Sequence, residues 1–325
     1  MLKPAYKITI GSESYDSESN AEALSINVDC DINIPLDAFK VVLRQGDKTS
    51  VKRDDQVTIE LGYEDSMKKV FTGAVDMVEP GISGVVISGF SVAAPLTRIK
   101  MHQVYEKQTA GAIVKDLANK ASLSIKTVED GISFPMYVVD DTKTIYSHMR
   151  ELAGLCGFDL FMAPDGKVVF KKYQKKKAAA FTFGVDIIDV TARALTPLAT
   201  SVKVFEESPS SFKGADTAHW LSKKVIGGVS GSGDQVYMIC NPAIRDKDTA
   251  DQVAAAVLAS LTIPMAGTLK TIGEPAMMLG DTVEIKDMPD ARMNDMFEVT
   301  RVSHAFNMEE GFVTTFGWIK KPAGP

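Results

Sequence analysis

The sequence DQVTI at residues 55–59 opens a pattern of three β-strands that recurs near the end of the chain. The first copy continues with FTGAVDMV at 71–78 and GVVISGF at 84–90. The second copy consists of DTVEI at 281–285, FEVTRVS at 297–303 and GFVTTFG at 311–317. Val57 and Val283 are 226 positions apart, and Gly84 and Gly311 are 227 apart. The nearly constant offset predicts a duplicated β domain. Chance similarity is the alternative, since short strands are degenerate signals.

Length, composition and charge exclude several classes of protein. A chain of 325 residues has room for two or three domains with hydrophobic cores. The net charge of −6 does not favour the basic surface that tight binding of nucleic acid requires. No run of about 18 apolar residues occurs, so we expect no membrane span. The N-terminal residues lack the apolar core of a signal peptide, so we expect synthesis in a cytoplasm.

The cysteines and the one dense basic run have unremarkable interpretations. Cys30, Cys156 and Cys240 are odd in number and widely spaced, which does not fit a disulfide framework or a thiolate metal site. All three lie in apolar patterns, so we expect each to be a small buried hydrophobic side chain. The run KKYQKKK at residues 171–177 is interpreted as a solvated linker rather than a patch for nucleic acid.

Periodicity divides the chain into three predicted domains. Residues 1–100 contain six short strands separated by Gly, Asp and Ser, which is typical of a small barrel or sandwich. Residues 101–175 form a predicted α/β insert with two helices and a hairpin whose turn is Pro-Asp-Gly. Residues 176–325 form a predicted second β domain with connecting strands and one helix.

Local patterns give the bounds of these elements. We expect helices at about 109–121, 142–156 and 248–261, the first capped by Thr109 and the second by Asp141 or Thr142. Gly157 fits the C-terminal end of the second helix. The strand at 23–30 places one alternating set on its core face: Leu24, Ile26, Val28 and Cys30. The stretches SPSS at 208–211 and GGVSGSG at 227–233 are predicted to be loops.

A search for catalytic and binding residues assigns none. Each of four histidines lacks a partner at metal-ligand spacing, and each is interpreted as structural: His102, His148, His219 and His304. The stretch GVSGS at 228–232 lacks the second glycine of a nucleophile elbow, and no P-loop or dinucleotide fingerprint occurs. Adjacent acidic residues lie in predicted turns, without the burial that separates the pKa values of a catalytic pair. We therefore predict no catalytic, cofactor-binding or metal-binding residues, no cofactor and no enzymatic activity.

Three segments in this order resemble a known family. They are residues 105–118, residues 141–158 leading into the Asp-Gly-Lys hairpin at 165–167, and residues 273–285 with 299–304 and 311–316. Together they resemble the late control protein D family, which are tail hub proteins of contractile phages related to the hub region of VgrG proteins in type VI secretion. Two departures occur. Within residues 1–325 we expect neither the OB-fold nor the β-helical spike of VgrG proteins, and Asp295-Met296-Phe297 replaces the usual glycine-aromatic pair.

The resemblance implies an α+β, mostly β fold with two tube-like β-barrel domains and a helical and mixed insert, assembling as a trimeric ring. It implies a structural baseplate hub in which the homotrimer has pseudo-sixfold symmetry and joins the sixfold tail tube to the threefold spike. The implied partners are the tail tube protein, the spike protein and other baseplate proteins, with the tape measure protein as a further candidate. Specific nucleic-acid binding is not implied. The implied location is the virion tail or an injection-system baseplate.

Two alternative functions remain open from the sequence. A tail-associated cell-wall hydrolase would need a buried carboxylate pair or a Ser/His cluster, and neither is recognisable in the sequence. A host-receptor-binding module would need an exposed loop, for which residues 208–233 are the candidate.

Overall fold

The computed structural model describes residues 3–18, 23–44, 50–82, 84–206 and 227–322. Strands predominate and three α-helices occur among these residues, so the expected α+β, mostly β class is confirmed. None of these helices is both long enough and apolar enough to cross a membrane.

The first β unit contains seven strands. They are β1 (Pro4–Ile10), β2 (Glu13–Asp16), β3 (Ala23–Asp31), β4 (Ala38–Arg44), β5 (Gln56–Tyr63), β6 (Lys68–Pro80) and β7 (Gly84–Ser91). Their spatial order is β2-β1-β5-β6-β7-β4-β3, and every pairing is antiparallel. Alternate side chains of these strands point to one face and form a hydrophobic core that includes Tyr6, Ile59 and Phe71.

The insert follows this unit. Its elements are β8 (Gln103–Thr109), α1 (Ala110–Lys120), β9 (Ile125–Val128), β10 (Ser133–Val139), α2 (Ile145–Cys156), β11 (Phe158–Met162) and β12 (Val168–Lys172). Each of the two helices buries an apolar stripe, with Ile113, Leu117, Met149 and Leu152 inaccessible to solvent. The predicted hairpin is also confirmed, because β11 pairs antiparallel with β12 across the Pro-Asp-Gly turn.

The remaining elements lie in the last 150 residues. They are β13 (Lys177–Thr182), β14 (Ile187–Ala194), β15 (Ser201–Phe205), β16 (Gly227–Gly231), β17 (Val236–Cys240), α3 (Lys247–Leu261), β18 (Met265–Ile272), β19 (Thr282–Lys286), β20 (Met296–Asn307) and β21 (Gly311–Lys320). Six of these strands form the second β unit, in the spatial order β13-β19-β20-β21-β18-β14.

The two β units are structural repeats. The order β5-β6-β7-β4-β3 in the first unit corresponds to β19-β20-β21-β18-β14 in the second. A β-bulge at Leu24 in the β3–β4 pair matches one at Ile188 in the β14–β18 pair. A second bulge at Asp76 in the β6–β7 pair matches one at Thr300 in the β20–β21 pair. The same irregularities at the same two joints support a repeat rather than chance similarity, because a β meander does not require bulges.

The bulges also correct the alignment of the two copies. Val57 and Val283 remain equivalent, because their partners Gly73 and Phe297 lie at equal distances before the bulges. Met77, not Val75, therefore corresponds to Arg301. Gly84 and Gly311 are not equivalent, because the β20–β21 hairpin continues to the Asn307–Gly311 pair, whereas the first hairpin turns earlier. Equivalent positions are 226 apart at Val57, 224 apart at Met77 and 229 apart at Ser88, so the nearly constant offset of the sequence pattern is coincidental.

The sheets of the two β units are continuous with each other. Residues 301–307 of β20 pair antiparallel with residues 25–31 of β3, on the edge of β20 that β19 occupies nearer its start. Thirteen of the described strands thereby belong to one sheet, with no closed barrel among them. The outer edge of β3 is used to join the two units.

The hydrophobic cores do not follow the chain in sequence order. Val202 of β15 and Val253 of α3 pack into the same core as α1 and α2, although they lie in the predicted third domain. The second β unit has its own core around Phe297 and Trp318. The division at 1–100, 101–175 and 176–325 stays a prediction.

The helix caps agree in part with expectation. Thr109 caps α1 as predicted, its Oγ1 accepting from the Ala112 N–H at 3.1 Å. The cap of α2 is Thr144, which accepts from the Ser147 N–H at 3.3 Å, so the prediction of Asp141 or Thr142 was wrong. Thr142 instead donates its N–H to Asp140 in the preceding turn. Gly157 ends α2 with a φ of 65°, the left-handed conformation that glycine adopts without steric cost.

Two strand predictions also need correction. Residues 227–231, predicted as loop, form β16, which pairs with β15 and packs against α3. A Cβ atom at Gly228 would lie 2.3 Å from the Ala250 backbone, so glycine there permits close packing instead of marking a loop. In β3, the bulge turns Leu24 away from the regular alternation, and Ala23 takes the buried position beside Ile26.

Candidate subunit interface

The joint between the two β units shows how one unit binds another in this fold. Asp29 of β3 pairs with Arg301 of β20, with 3.0 Å between the carboxylate and guanidinium atoms. Both side chains are about half exposed, so solvent screening keeps the contribution of this ion pair small. Phe306 adds a hydrophobic contact, because its ring lies 5.0 Å from that of Tyr6 and is buried in the core of the first unit.

His304 lies at the same joint. It is buried, and its Nδ1 lies 3.0 Å from Oγ1 of Thr314 on β21. Burial lowers the pKa of His304 to about 4, with a small opposing effect from Asp29, so the imidazole is neutral at physiological pH.

A small cavity beside the joint brings together residue types that nucleophilic enzymes use. Cys30, Asp37, Ser91 and His304 contribute to its wall. Burial raises the pKa of Cys30 well above its ordinary value, and the nearby Asp37 and Asp29 add to the effect, so the thiol stays protonated. The cavity measures about 20 Å³, enough for about one water molecule. This geometry does not fit the binding of a polymer substrate.

A buried carboxyl pair lies between the insert and the second β unit. Asp159 of β11 and Glu298 of β20 are 7% and 1% exposed. Lys321 Nζ lies 2.9 Å from Glu298 Oε2. Burial and, next, the Asp159 carboxylate raise the pKa of Glu298, and Lys321 opposes them, which leaves the pKa at about 8. The sequence search missed this pair because its members are far apart in sequence. The signal in the sequence was Glu298, a charged residue between the apolar Phe297 and Val299, which indicates a buried carboxyl group.

The carboxyl pair predicts a pH dependence of stability. The folded chain binds the proton of Glu298 more tightly than the unfolded chain, whose glutamate has a pKa near 4.5. The free energy of unfolding should therefore fall as pH rises from about 4.5 towards about 8. Glu298→Gln, which keeps the shape without the titration, should remove that decline in urea denaturation measured between pH 5 and pH 9. An unchanged slope in the variant would contradict the assignment.

The other residues singled out in the sequence are dispersed. His102 is exposed beside Asp141, with 3.4 Å between Nε2 and Oδ2, whereas His148 is buried against Tyr137. His219 lies outside the described residues, as does the receptor-loop candidate up to residue 226. No group of three or more His, Cys, Asp or Glu side chains suited to a metal ion occurs in the part of the chain that the structure describes.

The cysteines and the basic run differ in part from expectation. Cys30 and Cys156 are partly buried, but Cys240 at the end of β17 is exposed, so its expected burial was wrong. The basic run is not a plain linker. Lys175 pairs with Asp295 at 3.3 Å, and Lys177 opens β13 and pairs with Glu284 at 3.1 Å.

Two sheet edges carry exposed apolar side chains. β14 is the last strand on its side of the sheet, and β6 beyond Asp76 pairs on one side only, with β7, among the described residues. Met77 and Ile82 are exposed along the β6 edge, Ile82 to 96%. Ile188 and Val185 are exposed along or just before β14. Unpaired edges with apolar side chains are sites where another chain can add to a sheet.

The fold has close counterparts among solved structures. A 43 kDa tail protein of prophage MuSo2 from Shewanella oneidensis superposes with a TM-score of 0.75 at 14% identity, with 98% of each chain covered. The fold is that of phage tail proteins. A tail protein from Neisseria meningitidis MC58 gives a TM-score of 0.73 at 14% identity, covering 98% of this chain and 96% of that one.

A secretion protein shares the fold. An Escherichia coli component of the type VI secretion system gives a TM-score of 0.61 at 11% identity, covering 98% of this chain and 80% of that one. It is itself described as similar in structure to two bacteriophage T4 tail proteins. No protein-family model and no curated protein sequence matches the chain. The tail-protein fold agrees with the resemblance drawn from the three sequence segments.

Proposed function

We propose that this chain is the structural hub of a contractile tail or contractile injection system, a homotrimer that presents six similar β units to a sixfold tail tube. The observation that carries the proposal is the repeat of five strands with matched order and bulges in one chain. Three chains with two such units each supply six positions, which reconciles a sixfold tube with a threefold spike. The tail-protein fold of its structural neighbours supports this function.

The proposed partners follow from this position. The six β units would bind the tail tube protein, and the threefold side would bind the spike protein, with other baseplate proteins around the ring and the tape measure protein as a further candidate. Assembly then depends on sheet pairing and shape complementarity, without catalysis. Synthesis in the host cytoplasm would precede incorporation into the tail.

Native mass spectrometry of the purified chain over a range of concentrations tests the homotrimer. Cryo-electron microscopy of the assembled particle tests its place between tube and spike. We expect a trimer that increases with concentration and density for this chain at the tube–spike junction. A monomer at high concentration together with no density at that junction would overturn the proposal. Zymography on peptidoglycan separates this function from that of a cell-wall hydrolase, which would produce clear lysis.

A further inference from the structure

We propose that a second copy of this chain adds its β14 to the free edge of β6, in the register that joins β3 to β20 within one chain. The inference rests on the proposed trimer and names the surfaces that would hold it together. The partner is the chain itself, and the joint is head-to-tail, so that three copies close it into a ring.

The internal joint supplies the register. β3 is equivalent to β14 through the bulges at Leu24 and Ile188, and β20 is equivalent to β6 through the bulges at Thr300 and Asp76. Within the chain, Arg301 lies opposite Asp31 and Ser303 lies opposite Asp29. Transferring both pairs by counting from the bulges places Met77 opposite Leu195 of the partner subunit. It also places Glu79 opposite Arg193 of the partner subunit.

The charges at the transferred positions are complementary. Glu79 and Arg193 are both exposed, and neither forms an ion pair with another residue in the described ranges. Opposite charges directly across an antiparallel pair stabilise it, and like charges destabilise it. The transferred register thus brings together two side chains of opposite charge that one copy leaves apart.

The apolar contact of the internal joint also has a counterpart. Counting from the bulges, Ile82 occupies the position of Phe306, which is buried against Tyr6 of the other unit. In one copy Ile82 is 96% exposed at the tip of the β6–β7 hairpin. An isoleucine so exposed at this position is explained if it packs into the second β unit of a neighbour.

Pro80 limits the length of the proposed pairing. Pro80 on β6 is equivalent to His304 on β20, and it has no N–H to donate to a neighbouring strand. The Gly81 N–H donates to Gly84 O across the hairpin. Because backbone hydrogen bonds point to alternate sides along a strand, Glu79 and Met77 also bond towards β7. The backbone groups of Val78 and the carbonyl of Pro80 therefore face the free edge. The pairing is short, which suits an interface that also depends on side chains.

A disulfide tests the register directly. Because Glu79 bonds towards β7, its predicted partner position is a non-hydrogen-bonded pair, with Cα atoms about 4.5 Å apart, close enough for a disulfide. In a Cys240→Ser background, Glu79→Cys with Arg193→Cys should form covalent dimers and trimers under mild oxidation on non-reducing gels. The matched control, Glu79→Cys with Ala192→Cys, shifts the register by one residue, faces the opposite side of the sheet and should form few.

Charge exchange gives a second readout in case the cysteine variants fold poorly. Glu79→Arg should raise the dissociation constant of the trimer by about tenfold or more, because it places two cations opposite each other. Adding Arg193→Glu to the same chain should restore assembly. A native trimer that shows neither the register-specific disulfide nor the restoration would overturn this interface and leave the proposed hub intact. A chain that is monomeric at every concentration would overturn this interface, and the absence of density at the tube–spike junction as well would overturn the proposed hub.

Discussion

Phe306→Ala is expected to lower the free energy of unfolding by about 3–5 kcal/mol, as for other buried phenylalanines. The side chain of Phe306 is 7% exposed and extends from the second β unit into the core of the first. Its removal leaves a cavity where the second unit packs against Tyr6 of the first. Urea denaturation followed by circular dichroism, at a protein concentration that keeps the chain unassembled, measures the loss.

Ile82→Ala is the matched control for Phe306→Ala, because Ile82 occupies the equivalent position in the first unit. It is almost fully exposed in one copy, so its truncation should change the stability of the unassembled chain by less than about 0.5 kcal/mol. Equal losses from the two variants would show that the internal joint is not held by Phe306 in the way described.

Trp318→Ala should destabilise the second β unit by a similar amount, about 3–5 kcal/mol. Trp318 is 1% exposed on β21, and its ring centroid lies 4.2 Å from that of Phe297. Within the described residues its Nε1 has no hydrogen-bond partner, so the side chain contributes by packing. Trp318→Phe keeps most of that packing and should cost clearly less in the same denaturation measurement. A phenylalanine variant as unstable as the alanine variant would contradict this account.

The sequence predicted the elements that have strong periodicity. All six strands of the opening repeat and all three helices were found near their predicted positions, because alternating or helical spacing of apolar residues reflects burial on one face. It also predicted the repeat itself. Which residues of the two copies are equivalent could be assigned only from the bulges at Asp76 and Thr300, because no sequence pattern indicates these bulges.

The features that the sequence did not predict have a common physical cause, which is contact between segments that are distant in sequence. The glycines of β16 were interpreted as loop, but Gly228 is needed where the strand meets the backbone of α3. Asp159 and Glu298 become a pair only when β11 packs against β20. The joining of the two units through β3 and β20 likewise depends on tertiary pairing, which no local sequence pattern predicts.

The segment between β14 and β18 makes the two units unequal. β3 and β4 are joined by a short connection, whereas β14 and β18 are separated by β15, β16, β17 and α3, which pack with the insert. Two units with the same sheet thus carry different attachments. In an assembly that repeats the sheet, every second position would carry the helical layer. A ligand that contacts the strands would meet identical neighbours, and one that contacts the helices would find alternate sites.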